Sequence, residues 1–165
     1  MFGFRHLFCL LICTLVAAPS VLAGDAEVLT AETLRVGAVS YRLVGIDAPE
    51  DGQRCWLESH LFDCAEISKA ALTDLITGGS VTCEEMVPPE AAKDGLPVAL
   101  CRSDGYDLSE GMTYIGWALA DPTTGARYRA FEEGARQARR GLWRGRFVQP
   151  WDWRDGTRLP EELAD

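Results

Sequence analysis

Beyond its apolar N-terminal run, the chain begins with short stretches in which hydrophobic and polar residues alternate. Residues 28–29, 33–36 and 39–46 are rich in β-branched and aliphatic side chains, and Gly37-Ala38 separates the second stretch from the third. Alternation with a period of two is typical of strands that bury one face. The pattern therefore predicts a β-meander in the first third of the chain.

Helical periodicity then replaces the alternation. Three segments carry apolar residues at helical spacing or a helix-start signal: residues 65–77, 107–116 and 126–140. The first is followed by Gly78, the second ends at Gly116 and the third is followed by Gly141, and glycine commonly ends helices. The second opens with Asp107-Leu108-Ser109-Glu110, which resembles a capping box. We therefore predict three helices.

Two further strands are predicted between the first and second helices. Residues 81–84 and 98–102 are apolar and β-branched, and a polar loop containing Pro88-Pro89 joins them. We expect them to pair antiparallel, which would bring Cys83 within bridging distance of Cys101. Strands first and helices interleaved later fit a small α+β barrel. Four tryptophans are expected to pack the C-terminal segment onto it: Trp117, Trp143, Trp151 and Trp153.

The first 23 residues have the parts of a secretory signal peptide. Arg5 and His6 precede an apolar run over residues 7–17, and Val21-Leu22-Ala23 supplies a cleavage site, so we expect cleavage after Ala23. The alternative is an uncleaved membrane anchor, but this run is shorter than the roughly 20 residues that span a bilayer. We therefore expect an exported protein, periplasmic or extracellular, with no membrane attachment after cleavage.

Export changes the interpretation of the cysteines that remain. Cys55, Cys64, Cys83 and Cys101 would mature in an oxidising compartment, where thiols pair. Four cysteines allow three connectivities, of which we favour Cys55–Cys64, closing a short loop, and Cys83–Cys101, joining two strands. A zinc site is the alternative, although the chain has no CxxC pair.

The charge of the chain is acidic and unevenly distributed. The full chain carries a formal charge of −9, and loss of Arg5 with the signal peptide makes the mature chain one unit more negative. Nucleic acid is therefore a disfavoured partner, and any phosphate-binding surface must be local. Seven arginines lie within residues 127–146. We expect a monomer, and a protein partner remains an alternative.

One nine-residue stretch resembles the signature of the staphylococcal-nuclease-like (thermonuclease) family. Arg42-Leu43-Val44-Gly45-Ile46-Asp47-Ala48-Pro49-Glu50 has an arginine on a strand, followed by an aspartate and a glutamate around an Ala-Pro turn. The resemblance extends from about residue 28 to residue 153. It implies a five-stranded OB-fold barrel over residues 24–155, with an acidic tail at 156–165. It also implies hydrolysis of DNA or RNA phosphodiesters with one calcium ion, Ca2+.

The resemblance also assigns roles to individual residues. Arg42 matches a phosphate-binding arginine, Glu50 the glutamate that assists the attacking water, and Asp47 a calcium ligand. Glu32 stands where the family has a second calcium aspartate, and Leu96 stands where it has a second phosphate arginine. Guanidinium forks stabilise the charge that a phosphodiester gathers in its transition state, whereas leucine cannot donate a hydrogen bond. The longer Glu32 side chain should weaken calcium binding.

These departures leave three classes of function open. On the leading hypothesis, the chain is a nuclease homologue with weak or no activity. Alternatively, it is a non-catalytic OB-fold module that binds a protein or another ligand in the periplasm, or a purely structural module. In the last case Arg42, Asp47 and Glu50 would persist as an ion-paired network that shapes the turn.

Overall fold

The structure is a computed structural model that describes residues 22–24, 26–57, 59–92 and 94–163. Most of the predicted signal peptide, residues 1–21, lies outside the described residues, as does the end of the predicted tail, residues 164–165. Residues 22–24 form a strand, so the predicted cleavage site after Ala23 falls inside it. Among the described residues, no helix is long and apolar enough to cross a membrane.

The described part of the chain is a mixed α+β fold with short elements. The strands are β1 (Leu22–Gly24), β2 (Ala26–Val28), β3 (Thr33–Val36), β4 (Val39–Leu43), β5 (Ile46–Asp47), β6 (Arg54–Leu57), β7 (His60–Asp63), β8 (Val81–Val87), β9 (Val98–Ser103), β10 (Tyr106–Asp107) and β11 (Leu119–Ala120). The α-helices are α1 (Cys64–Ile76), α2 (Leu108–Ile115), α3 (Arg129–Gln137) and α4 (Pro150–Arg154). Short 3-10 turns span Pro89–Ala91, Ala126–Tyr128 and Gly141–Arg144.

The main sheet is curled into a half-barrel. Its strand order is β1-β8-β9-β4-β3-β2, with β10 also paired to β9. All pairs in this sheet are antiparallel except β4 with β9, which run parallel. Two smaller two-stranded sheets pair β5 with β11 and β6 with β7. The meander of β2, β3 and β4 confirms the sequence prediction, and so does the antiparallel pairing of β8 with β9.

The helix ends follow from local sequence signals. The side chain of Asp63 caps α1 by accepting from the Glu66 N–H at 3.0 Å, and the left-handed Gly78 follows the helix end. The Asp107 side chain caps α2 by accepting from the N–H groups of Ser109 and Glu110. Gly116 ends this helix with φ 79°. These first two helices confirm the predictions to within two residues. Helix α3 is shorter than predicted, because a 3-10 turn precedes it and Arg139 adopts φ 52°.

The hydrophobic core lies between the curled sheet and the first two helices. Its fully covered side chains come from several elements: Leu34, Leu43, Leu72, Leu108 and Met112, each at most 1% exposed. A second cluster forms around the Cys55–Cys64 disulfide, where Leu119 and Leu142 pack with Trp117, Trp143 and Trp151. The predicted role of these tryptophans in packing the C-terminal segment agrees with this cluster.

Both favoured disulfides are present. Cys83 and Cys101 face each other across β8 and β9 with their Cα atoms 4.0 Å apart. Cys55 and Cys64 bridge the ends of the β6–β7 hairpin, which the sequence analysis treated only as a short loop. Two disulfides fit an exported protein, because oxidising compartments keep cysteines paired.

Candidate active site

A tight turn after β4 positions the first acidic residue of the signature. Gly45 adopts φ 68°, and a Cβ at this position would stand 2.9 Å from the ring of Tyr128. Only glycine fits such a left-handed, closely packed position without strain. The chain then enters β5, where Asp47 pairs with Leu119 of β11 and is 4% exposed. The turn at Gly45 thus directs the chain so that Asp47 is buried.

A cleft lies beside this turn, and most of the predicted site residues line it. Its volume is about 210 Å³, and it is lined by Thr30, Glu32, Thr33, Arg42, Ala48, Pro49, Glu50, Asp51 and Asp94. Three predicted residues therefore share one surface, namely the phosphate arginine Arg42, the glutamate Glu50 and the metal ligand Glu32. Asp47 does not line the cleft, because its carboxylate is covered by another side chain.

That side chain is Arg154, the last residue of α4. Its Nη1 donates to Asp47 Oδ1 at 2.9 Å and its Nη2 donates to Asp47 Oδ2 at 2.5 Å. Nη1 also donates to Glu50 Oε1. Hydrogen bonds to Asp47 raise the pKa of Arg154 further, so the guanidinium stays charged. One arginine therefore contacts both acidic residues of the signature and offsets part of their charge.

Glu32 is held by the main chain of the same turn. Its Oε2 accepts from the Ala48 N–H at 3.0 Å, and the side chain is half-buried. Burial and the neighbouring charge of Asp47 raise the pKa of Glu32 to about 8. The main chain of this turn thus holds the Glu32 carboxyl against Ala48.

Arg42 also has an acidic neighbour. Its Nε lies 3.2 Å from Asp94 Oδ2, in an ion pair without hydrogen-bond geometry. The main chain of Arg42 is fixed by its N–H, which donates to Pro97 O at 3.0 Å. The carboxylate of Asp94 thus lies beside the guanidinium of Arg42 in the wall of the cleft.

Leu96 is placed by the same loop. Its N–H donates to Asp94 Oδ1 at 3.1 Å, and its side chain is half-buried. It lies just before β9, next to the residue whose carbonyl accepts from the Arg42 N–H. Leu96 does not line the cleft described above.

Gln53, which the sequence analysis did not single out, connects the site to the C-terminal segment. It is fully buried; its Oε1 accepts from the Glu50 N–H at 3.1 Å and its Nε2 donates to Val148 O at 2.7 Å. Two more contacts hold that segment: Trp56 and Arg146 exchange main-chain hydrogen bonds of 2.8 Å, and Glu162 accepts from the Arg54 N–H at 3.4 Å. These contacts fix the segment that places Arg154 beside Asp47 and Glu50.

The donor set does not fit a calcium ion in this arrangement. Among the described residues, no group of three or more histidine, cysteine, aspartate or glutamate side chains is placed to hold a metal. Calcium takes six to eight oxygen ligands at about 2.3–2.6 Å. Both oxygens of Asp47 and one of Glu50 are already hydrogen-bond acceptors for Arg154. The predicted calcium ligands Asp47 and Glu32 are therefore already hydrogen-bonded, Asp47 to Arg154 and Glu32 to the Ala48 N–H.

A second cleft adjoins the first and shares Arg42 with it. Its volume is about 220 Å³, and its walls include Leu43, Val44, Ile46, Val87 and Val98, with Asp121, Thr123 and Thr124 also lining it. The carboxylate of Asp121 accepts from both threonine hydroxyls and both threonine N–H groups at 2.7–2.9 Å. The cleft is thus mainly aliphatic, with one ordered polar turn.

Fold and site together define a small, disulfide-bonded α+β protein with an acidic cleft, in which Arg42 pairs with Asp94 and Arg154 pairs with Glu50 and the adjacent Asp47. No family model matches the chain. It is similar to the succinoglycan biosynthesis protein ExoI of Rhizobium meliloti (strain 1021), with 27% identity over 128 residues. The match covers 74% of this chain and 65% of that protein, so the chain spans just under two thirds of the relative's length.

Proposed function

We propose that the chain is an exported homologue of the thermonuclease family, built on an OB-fold, whose calcium-dependent phosphodiesterase activity is weak or absent. The observation that carries this proposal is the contact of Arg154 with both Asp47 and Glu50. These are the two residues to which the resemblance assigns metal binding and water activation. Oε1 of Glu50 accepts from this guanidinium, so one of its two oxygens is already engaged and cannot orient a water molecule.

The curled sheet supports the OB-fold part of the proposal. OB-folds are five-stranded, partly open barrels, and the order β8-β9-β4-β3-β2 supplies five strands in one curled sheet. The signature runs from the end of β4, which lies between β9 and β3 in this sheet, through β5. We place the protein in the periplasm or outside the cell.

The phosphate-binding side of the cleft supports weak activity. Arg42 is the remaining arginine of the predicted pair, and Asp94 lies beside it. A phosphate would have to displace this carboxylate, and the chain's charge of −9 opposes the approach of a polyanion. Loss of one donor to a developing oxyanion costs on the order of 100- to 1,000-fold in rate. Any remaining reaction would use Arg42 to bind a phosphate oxygen and Glu50 to orient water.

The proposal is tested by measuring cleavage of labelled single-stranded DNA and RNA by the purified exported protein, in calcium and in chelator. We expect rates close to the uncatalysed background in both conditions. Glu50→Ala should change them no more than Glu133→Ala, which alters an exposed glutamate outside the site. Rapid calcium-dependent cleavage that Glu50→Ala abolishes and Glu133→Ala retains would contradict the proposal.

A second candidate is a non-catalytic binding module, and the aliphatic cleft next to Arg42 favours it. The similar rhizobial protein is described by its name as a succinoglycan biosynthesis protein, so an oligosaccharide is one ligand to examine. Binding to single-stranded DNA should weaken steeply with salt if phosphates are contacted, because counterions are released. Binding to a neutral oligosaccharide should depend little on salt, so titrations of both ligands at two salt concentrations separate the alternatives.

A further inference from the structure

We propose that Arg154 is the resident cation of the Asp47–Glu50 pair and keeps divalent metal ions out of it. The guanidinium forms a two-pronged contact with both oxygens of Asp47 and reaches Glu50 with the same Nη1. Arginine is suited to such a position because its planar fork matches a carboxylate and its charge persists at every physiological pH. The inference rests on these contacts and does not require that the chain descend from nucleases.

The burial of Asp47 explains why a cation is needed there. Its side chain is 6% exposed, whereas those of Glu50 and Arg154 are 31% and 45% exposed. A buried carboxylate without a partner costs several kcal/mol, and here Arg154 supplies a side-chain cation as that partner. A calcium ion would need the same oxygens that Arg154 uses, and the positive guanidinium would repel it. Metal and Arg154 are therefore competing occupants of one position.

The C-terminal segment that carries Arg154 is held in place by contacts on both sides of α4. Residues on both sides of α4 are tied to β6 or to the residue that precedes it. The main chain of Arg146 pairs with Trp56, Val148 O accepts from the buried Gln53, and Glu162 accepts from the Arg54 N–H. The Cys55–Cys64 disulfide braces the hairpin that receives these contacts. These contacts fix the backbone that carries Arg154, so its guanidinium stays within reach of Asp47 and Glu50.

The test compares calcium binding by the whole exported protein and three variants, using calorimetric titration and melting temperature in calcium chloride against sodium chloride of equal ionic strength. Arg154→Gln removes the charge but keeps an amide donor for Asp47, and Arg154→Lys keeps the charge. Arg158→Gln is the matched control, because Arg158 follows α4 and its contacts, hydrogen bonds to the carbonyls of Trp153 and Thr157 and a stack on the Trp153 ring, do not include the acidic pair. Circular dichroism verifies that each protein is folded.

We expect wild type, Arg154→Lys and Arg158→Gln to show no calcium-specific response at about 10 mM, while Arg154→Gln binds with a Kd on the order of 10⁻⁴–10⁻³ M, as weak extracellular calcium sites do. Its melting temperature should rise by about 5 °C in calcium. A calcium response in wild type overturns the proposal by itself, even if Arg154→Gln does not fold. So does a folded Arg154→Gln that stays silent, or an equal gain in Arg154→Lys or Arg158→Gln. Because none of these measurements records cleavage, failure of the nuclease proposal leaves this one intact.

Discussion

The most informative single change outside the signature is Gln53→Leu. Gln53 is fully buried and joins two parts of the chain, since its Oε1 accepts from the Glu50 N–H and its Nε2 donates to Val148 O at 2.7 Å. Leucine fills a similar volume but can satisfy neither group. Val148 is only 7% exposed, so its carbonyl would lose its partner with little access to water.

The expected cost follows from these two orphaned groups. An unsatisfied buried polar group costs about 1–3 kcal/mol, and the half-exposed Glu50 N–H should lie at the lower end, which gives about 3 kcal/mol in total. For a domain of this size, such a loss lowers the melting temperature by about 10 °C. Urea unfolding of wild type and variant measures the free-energy difference directly.

The matched control is Gln137→Leu, because Gln137 is exposed and its amide reaches only Glu133 one turn away. We expect this control to change stability by less than about 0.5 kcal/mol. Amide hydrogen exchange should also quicken in residues 148–154 of the Gln53 variant and not in the control. Equal stabilities for the two variants would refute the argument that Gln53 holds the C-terminal segment on the site.

Three further predictions concern the disulfide, the second cleft and the missing arginine. Replacing Cys83 and Cys101 together by alanine should lower the free energy of unfolding by about 3 kcal/mol, since the bridge closes a loop with a sequence separation of 18; an unchanged urea midpoint would contradict this. Burial alone would raise the pKa of Asp121, but four hydrogen bonds outweigh it and lower the pKa from 3.8 to about 2, so the carboxylate contributes stability above pH 3.8 that is lost as the pH falls towards 2. The stability difference between wild type and Asp121→Asn should therefore shrink over that range in acid urea titrations, and a constant difference would be inconsistent with the lowered pKa. Leu96→Arg should raise calcium-dependent DNA cleavage by less than about tenfold on its own and by about 100-fold in combination with Arg154→Gln. The reason is that the new donor helps only after Asp47 and Glu50 are released. Equal gains in both backgrounds would show that Arg154 does not limit activity.

Much of the fold could be predicted from local sequence signals. Helices α1 and α2 begin at aspartate caps and end next to left-handed glycines, so their bounds depend on neighbouring residues alone. The Cys83–Cys101 bridge follows from two adjacent strands whose register places the cysteines opposite each other. Helix α4 and the β6–β7 hairpin were missed, because each element is only four or five residues long and shows no clear periodicity.

The candidate site could be predicted only in part. The resemblance singled out Arg42, Glu50 and Glu32, which line one cleft because β4 and the turns beside it are close in sequence or paired in the sheet. The contact between Arg154 and Asp47 joins residues 107 positions apart, and no local pattern encodes it. The tryptophans at 151 and 153 indicated that the C-terminal segment packs on the barrel, but not which arginine would reach the site.

The sequence by itself determined the strand and helix signals, a favoured pairing among three for the cysteines, and the list of acidic and basic side chains available to the site. Only the tertiary structure decided which charges meet. Asp47 is buried by the turn at Gly45, and Arg154 is carried to it by a segment that Gln53 anchors. The energy of an ion pair depends on distance and burial, and both are set by chain packing across the whole fold.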